Sequence, residues 1–116
     1  MHAIQARAVM PVAATFAGDV WSPNPDARTI AGGIAVDSPP RIQQVLDVLK
    51  SSGGRSVAVD DEHIVDWQKK LAAREGIYCE PTSAAAFAGL EVLVNEGHVG
   101  PDDVVLVPVT GFGLKD

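Results

Sequence analysis

The sequence lacks several features that would place it in particular classes of protein. It has a single cysteine, Cys79, which excludes an intrachain disulfide and favours a reducing compartment. No apolar run approaches the roughly 20 residues that cross a bilayer, and the first residues show no signal-peptide pattern. The 9 Lys and Arg against 15 Asp and Glu give a net charge of -6 without a basic cluster. These features predict a cytoplasmic protein whose partners include neither nucleic acid nor membrane.

The spacing expected of metal ligands is also missing. His2, His63 and His98 are scattered, and none of them is paired at the i, i+4 spacing typical of a helical metal site. The acidic run 60–62 is interpreted as a helix start rather than a magnesium site, because carboxylates suit the positive end of the helix dipole. Cys79 is interpreted as a small buried hydrophobic residue rather than a reactive thiol. The sequence therefore predicts no metal site.

The chain does have a composition that suits one small domain over residues 1–116, with 47% hydrophobic residues. Short apolar strand patterns alternate with helix patterns, such as the recurrence of Ile42, Val45 and Leu49 on one helical face. Strands separated by helices pair in parallel, so we expect an α/β fold of three layers with a small, mostly parallel sheet of about three strands. The predicted strands are 2–6, 55–59 and 103–109, and the predicted helices are 8–17, 39–51, 60–75 and 82–96.

Two segments carry chemical information. They are residues 76–85 (GIYCEPTSAA) and residues 107–116 (VPVTGFGLKD). In this order and at this separation they resemble the C-terminal part of threonine synthase and its relatives among the fold-type II pyridoxal-phosphate (PLP) enzymes. Those proteins show a Glu-Pro-x-Ser-Ala segment, then a helix, then an apolar strand that ends in Thr-Gly-x-Gly-Leu-Lys. The resemblance is clear over residues 53–116 and weaker over residues 2–41.

The resemblance implies a cofactor site just beyond the last predicted strand, where ligands of parallel α/β sheets bind. It implies that the hydroxyl of Thr110 meets the pyridine nitrogen of PLP, that Gly111 lets the backbone approach the ring, and that Glu80 lies near the ring. Simpler interpretations stay open, namely a solvent-facing Thr110 in a glycine-rich turn and a Glu80 that only caps a helix. Thr82 or Ser83 is interpreted as the N-cap of the fourth helix rather than as a nucleophile.

The chain departs from the family pattern in two ways. Phe112 stands where threonine synthases commonly have histidine. The family's Ser-x-Lys-Asp-Arg segment, which carries the lysine that holds PLP covalently, and its Gly-Gly-Gly-Asn phosphate loop do not occur in the sequence. The resemblance thus implies the C-terminal module of a PLP-dependent lyase of threonine biosynthesis, without its catalytic N-terminal part and with no catalytic residue of its own. Full-length relatives convert O-phosphohomoserine to threonine, and we expect no such turnover from this chain.

Two other functions stay open. A small parallel sheet stripped of further strands has open edges and an exposed apolar face, and such surfaces are usually covered by pairing. A non-catalytic module of this kind is predicted to form a homo-oligomer through the exposed sheet edge or apolar face, which light scattering would detect. Reversible binding of a phosphate-bearing ligand at a helix N-terminus is the other alternative.

Overall fold

The computed structural model describes residues 1–115, apart from the side chain of Lys115, so the end of the second motif lies outside the described part. Strands alternate with helices, as the sequence pattern predicts, and the fold class is α/β. Two three-residue turns of 3₁₀ helix lie at Gly32–Ile34 and Gly113–Lys115. The main elements are β1 (Ala3–Ala6), α1 (Pro11–Phe16), α2 (Ile42–Ser51), β2 (Ser56–Val59), α3 (Asp61–Glu75) and α4 (Pro81–Asn95).

The sheet pairs β1 with β2 in parallel, in a register that runs from Ala3 opposite Ser56 to Ala6 opposite Val59. The amide of Ala3 donates to the carbonyl of Arg55 at 3.0 Å, which fixes the amino end of the pairing. The amide of Arg7 donates to the carbonyl of Val59 at 2.8 Å, which fixes the carboxyl end. The parallel pairing predicted for these strands is therefore confirmed.

Helices cover both faces of this sheet, which gives three layers. Ile4 and Val59 point to the face covered by α3 and α4, where they pack with Ile64 and with the alanines of α4. Ala3 points to the opposite face and packs with Val12 and Leu49 of α1 and α2. Side chains alternate between faces along a strand, so each strand contributes to both halves of the core.

The predicted third strand over residues 103–109 does not form. Within the described chain, no backbone hydrogen bond joins residues 104–109 to any other residue. Val104 is 101% exposed and Leu106 is 90% exposed, although the sequence pattern predicts burial. A strand buried on both faces needs a hydrogen-bonded neighbour in the sheet. The sheet ends at β1 and supplies none, so the apolar segment lies beside a cleft instead.

Two predicted helix starts also differ from the observed ones. Helix α1 begins at Pro11 and not at residue 8, because proline suits only the first turn of a helix. Helix α2 begins at Ile42 with Arg41 at its N-cap, and not at residue 39 behind a Ser38 cap. The ring of Pro40 keeps the residue before it out of the helical region of backbone angles, which explains the later start.

Candidate functional site

The amino end of α4 lies at the carboxyl edge of the sheet, where α/β proteins bind ligands. Asp61 is the first residue of α3, with one residue between it and the end of β2, and accepts hydrogen bonds from the hydroxyl of Thr29 and from the amide of Ile30, at 3.0 Å for the amide. The same loop continues to Gly33, whose amide donates to Oγ1 of Thr82 at 3.0 Å. This loop therefore ties the first turn of α4 to the end of β2.

The two sequence motifs meet at this position. Glu80 donates its amide to the carbonyl of Gly111 at 3.0 Å, and Gly113 donates its amide to the carbonyl of Tyr78 at 2.9 Å. Cys79 and Phe112 form an antiparallel bridge between these two hydrogen bonds. The segment after the apolar run 103–109 is thus held against the segment before α4, and Glu80, Thr110 and Gly111 are brought together.

Ser83 connects the two motifs through its side chain, which is 2% exposed. Its Oγ accepts hydrogen bonds from the amides of Thr110 at 2.9 Å and Gly111 at 3.3 Å, and it lies 2.9 Å from Oγ1 of Thr110. A hydroxyl has two lone pairs and one proton. Because the two amides occupy both lone pairs, the Ser83 proton is left for Thr110, and the proton of Thr110 is available for another acceptor.

Glu80 occupies the backbone N-cap position of α4, but its carboxylate makes no capping hydrogen bond. Instead Oε1 accepts from the hydroxyl of Thr110 at 3.4 Å. The interpretation of Thr82 or Ser83 as the cap is therefore wrong. Pro81 is the signal that could have located the helix start, because proline favours the first helical position and so places the cap one residue earlier.

Both glycines of the second motif lie in close contact with side chains of the first motif. A Cβ atom on Gly111 would lie 2.3 Å from Oε1 of Glu80, and a Cβ atom on Gly113 would lie 2.6 Å from Cε1 of Tyr78. Carbon atoms do not approach that closely without displacement of one partner. Contacts within the protein therefore explain why glycine suits both positions. The approach of Gly111 to a cofactor stays a prediction.

Cys79 is fully buried beneath the site, as predicted for a small hydrophobic residue. Burial raises the pKa of its thiol, because the thiolate is poorly stabilised away from water. Phe112, in contrast, is 79% exposed at the tip of the loop. Within residues 1–115, no group of three or more His, Cys, Asp and Glu side chains is placed to hold a metal ion. Among the described helices, none combines the length and hydrophobicity that a membrane span needs.

Comparison with known proteins identifies the family of the chain. Residues 1–111 match the family model described as "Pyridoxal-phosphate dependent enzyme". The chain belongs to this PLP-dependent enzyme family. It is 42% identical over 119 residues to a threonine synthase of Methanocaldococcus jannaschii, and 38% identical over 118 residues to one of Methanosarcina acetivorans. A threonine synthase of Mycobacterium tuberculosis is 38% identical over 89 residues, which cover 77% of this chain.

The match covers only part of each relative. The chain is matched over its whole length by the two archaeal threonine synthases, yet it spans 29% of their length. A crystal structure of the T.th. threonine deaminase has the same fold, with a TM-score of 0.66 and 20% sequence identity. That match covers 99% of this chain and 40% of the deaminase chain. The chain therefore corresponds to a fragment of a PLP-dependent enzyme domain, as its resemblance to the C-terminal part of threonine synthase predicts.

Replacing Ser83 by alanine is expected to lower the free energy of unfolding by about 1–2 kcal/mol, because two amides lose their acceptor in a partly buried position. Urea denaturation followed by circular dichroism measures this difference. Ser51→Ala is the matched control, since Ser51 is exposed and, among the residues that the structure describes, its hydroxyl makes a single hydrogen bond, to the carbonyl of Val48 at 3.3 Å. Equal costs for the two variants would contradict the role given to Ser83.

Proposed function

We propose that this chain supplies the pyridine-ring side of the cofactor site in a threonine synthase-like PLP-dependent lyase, and that it is inactive alone. The observation that carries the proposal is the hydroxyl of Thr110, which is oriented by Ser83 and whose donated hydrogen bond to Glu80 is long, at 3.4 Å. Thr110, Gly111 and Glu80 form the site. The family's covalent lysine segment and phosphate loop do not occur in this sequence, and this supports inactivity of the chain by itself.

The residues present fit a pyridine ring. PLP, when bound, supplies a conjugated ring that draws electrons away from an amino-acid substrate. An unprotonated ring nitrogen accepts a hydrogen bond, and Thr110 offers a neutral hydroxyl donor that does not give up its proton. A carboxylate in the same position would stabilise a protonated nitrogen instead. In this chain Glu80 reaches Thr110 at the long distance of 3.4 Å, so it competes weakly for the Thr110 proton.

Gly111 contributes to the site by leaving room. The carboxylate of Glu80 lies where a side chain on Gly111 would be, so a larger residue would push Glu80 away from Thr110. Glu80 therefore keeps a position beside the Thr110 hydroxyl. Substrate contacts and the phosphate contacts of the cofactor would come from other parts of a full-length relative, and turnover of O-phosphohomoserine is not expected here.

Replacing Thr110 by valine is expected to weaken binding of pyridoxine 5′-phosphate about tenfold, which corresponds to about 1.4 kcal/mol for one lost hydrogen bond. This ligand keeps the ring nitrogen but has no aldehyde, so it cannot react with surface lysines. Titration followed by ¹H–¹⁵N spectra would report both the affinity and the amides that shift, which should include those of Thr110 and Gly111.

The control for this titration is Thr15→Val, because Thr15 is exposed on α1 and far from the motifs in sequence. Shifts confined to other surfaces, or equal affinities for the Thr110 and Thr15 variants, would contradict the cofactor role of Thr110. Turnover of O-phosphohomoserine by the chain with PLP would contradict its proposed inactivity.

A further inference from the structure

We propose that the groove between α2 and residues 1–3 binds an unbranched aliphatic carboxylate, with the charged end of the ligand at Arg41 and its chain along α2. The groove lies on the face of the sheet that α1 and α2 cover, whereas the two motifs meet at the amino end of α4, which packs on the other face. The inference therefore does not depend on the cofactor role proposed for Thr110.

One side of α2 forms the long wall of this groove. The lining residues from this element are Arg41, Gln44, Val45, Val48 and Leu49. Their spacing of i, i+3, i+4, i+7 and i+8 puts them in a single stripe along the helix. The stripe is about 12 Å long, because an α-helix rises about 1.5 Å per residue. A ligand that follows this wall is therefore extended.

The groove has the size of a small-molecule site. Ala3 of β1 forms the facing wall together with Met1 and His2, and the enclosed volume is about 400 Å³. Sites of this size are mostly apolar and have a few polar groups that fix the orientation of the ligand. The lining of this groove divides in that way, with its polar side chains towards the amino end of α2 and apolar side chains along the rest of the helix.

The apolar part of the groove suits a chain of methylene groups. Ala3, Val45 and Leu49 belong to the core cluster on this face of the sheet. Val48 extends their surface outwards and is 46% exposed. A methylene chain that covers Val48 leaves water at the same time, and each fully buried methylene tightens binding about fourfold. The affinity of a ligand should therefore rise with the length of its chain.

Arg41 provides the positive charge at one end of the stripe. Within the described part of the chain, its guanidinium has no hydrogen-bond or ion-pair partner. A guanidinium presents two parallel N–H donors, which match the two oxygens of a carboxylate. The side-chain amide of Gln44, one turn further along the stripe, offers a neutral donor beside it.

The charges around the groove favour a ligand with one negative charge. Among the described residues, no Asp or Glu side chain lines it. Asp47 lies outside the stripe, where its carboxylate accepts a hydrogen bond from the side-chain amide of Gln43 at 3.0 Å. The net charge of -6 disfavours ligands that carry several negative charges. A carboxylate, with a single charge, is balanced by Arg41 alone.

Titration with octanoate, without pyridoxine 5′-phosphate and followed by ¹H–¹⁵N spectra, tests this inference. We expect the amides of Gln44, Val45 and Val48 to shift. Octanoate should bind at least about fourfold more tightly than hexanoate, because it has two further methylenes to bury. Salt should weaken the binding of octanoate and leave that of uncharged 1-octanol unchanged, since salt screens the contact with Arg41.

Two pairs of variants locate the ligand. Arg41→Gln should weaken octanoate binding about fivefold, the upper value for a solvent-exposed ion pair, and Arg74→Gln on exposed α3 is its control. Val48→Gln should also weaken binding, and Val104→Gln is its control because fully exposed Val104 lies at the other cleft. The side chain of Arg41 makes no capping hydrogen bond, so α2 should stay folded, which circular dichroism checks.

Four results would overturn the proposal. These are the absence of octanoate binding, shifts confined to the cleft beside residues 103–108, equal affinities of the two arginine variants, and no gain in affinity from hexanoate to octanoate. The Thr110 titration uses a different ligand and different variants. A negative result there would contradict the cofactor role and leave this site unaffected, and the reverse also holds.

Discussion

Replacing Ile64 by alanine is expected to lower the free energy of unfolding by about 2–5 kcal/mol, the range for truncating a large side chain in a packed core. Ile64 is 0% exposed and packs between Val59 of β2 and the alanines of α4. Those alanines have short side chains that cannot reach into the space that Ile64 leaves. We therefore expect a cavity and a cost in the upper part of that range.

The matched control is Ile77→Ala, which removes the same atoms from a side chain that is 42% exposed. We expect it to cost less than about 1 kcal/mol, since surface truncations leave no cavity. Urea denaturation of both variants gives the comparison. A small domain has a total stability of only about 5–15 kcal/mol, so the Ile64 variant should unfold at a much lower urea concentration. Equal costs would show that α3 does not pack on the sheet as described.

Replacing Gly89 by valine is expected to cost about 3 kcal/mol, the upper end of the usual range for an overpacked core. Gly89 is buried in α4 where that helix crosses β1. A Cβ atom there would lie 2.3 Å from Cδ1 of Ile4 and 2.5 Å from both of its Cγ atoms. Either α4 or the side chain of Ile4 must then move, and both are part of the same core.

The control for this substitution is Ile4→Ala, which changes the other side of the same contact. Ile4→Ala removes the three carbon atoms that a side chain on Gly89 would meet, and valine adds three carbon atoms to glycine. The double variant therefore restores the number of core carbons, and it should be more stable than Gly89→Val alone. Thermal denaturation of the two single variants and the double variant measures the coupling. Additive costs would contradict the close contact of α4 with β1.

Much of this fold could be predicted from the sequence because its helices and strands have local signals. The spacing of Ile42, Val45 and Leu49 identified the inward face of α2, and all three residues lie in one core cluster of the structure. The predicted helix 60–75 ends where α3 ends, at Glu75, and the following Gly76 has a left-handed backbone φ angle of 68°. Signals of this kind act within one turn of chain, so they do not depend on the rest of the protein.

The absence of the predicted third strand could not be foreseen from the sequence, for a physical reason. The run of valine and leucine over residues 103–109 indicates that the segment is suited to burial. A buried strand, however, also needs neighbouring strands on both sides. Those neighbours are not specified by the run itself, and the described chain does not provide them. The apolar pattern therefore correctly described the chemistry of the segment and wrongly described its environment here.

The candidate site was predicted in part. Glu80, Thr110 and Gly111 were identified from the two motifs, and the structure brings them into contact. Ser83 was missed as the connecting residue because it was interpreted as a helix cap. Its buried position depends on where α4 begins and on the return of the chain to Thr110. Both of these are tertiary features that no local pattern near Ser83 records.

The buried Cys79 allows motion at the site to be measured, through the rate at which its thiol reacts with a labelling reagent. Cys79 lies between the two backbone hydrogen bonds that join the motifs, so a thiol reagent can reach it only after Phe112 and its neighbours have separated from it. Under native conditions the rate of labelling then reports how often this part of the molecule opens, independently of global unfolding. A bound cofactor that holds the loop in place would slow this labelling.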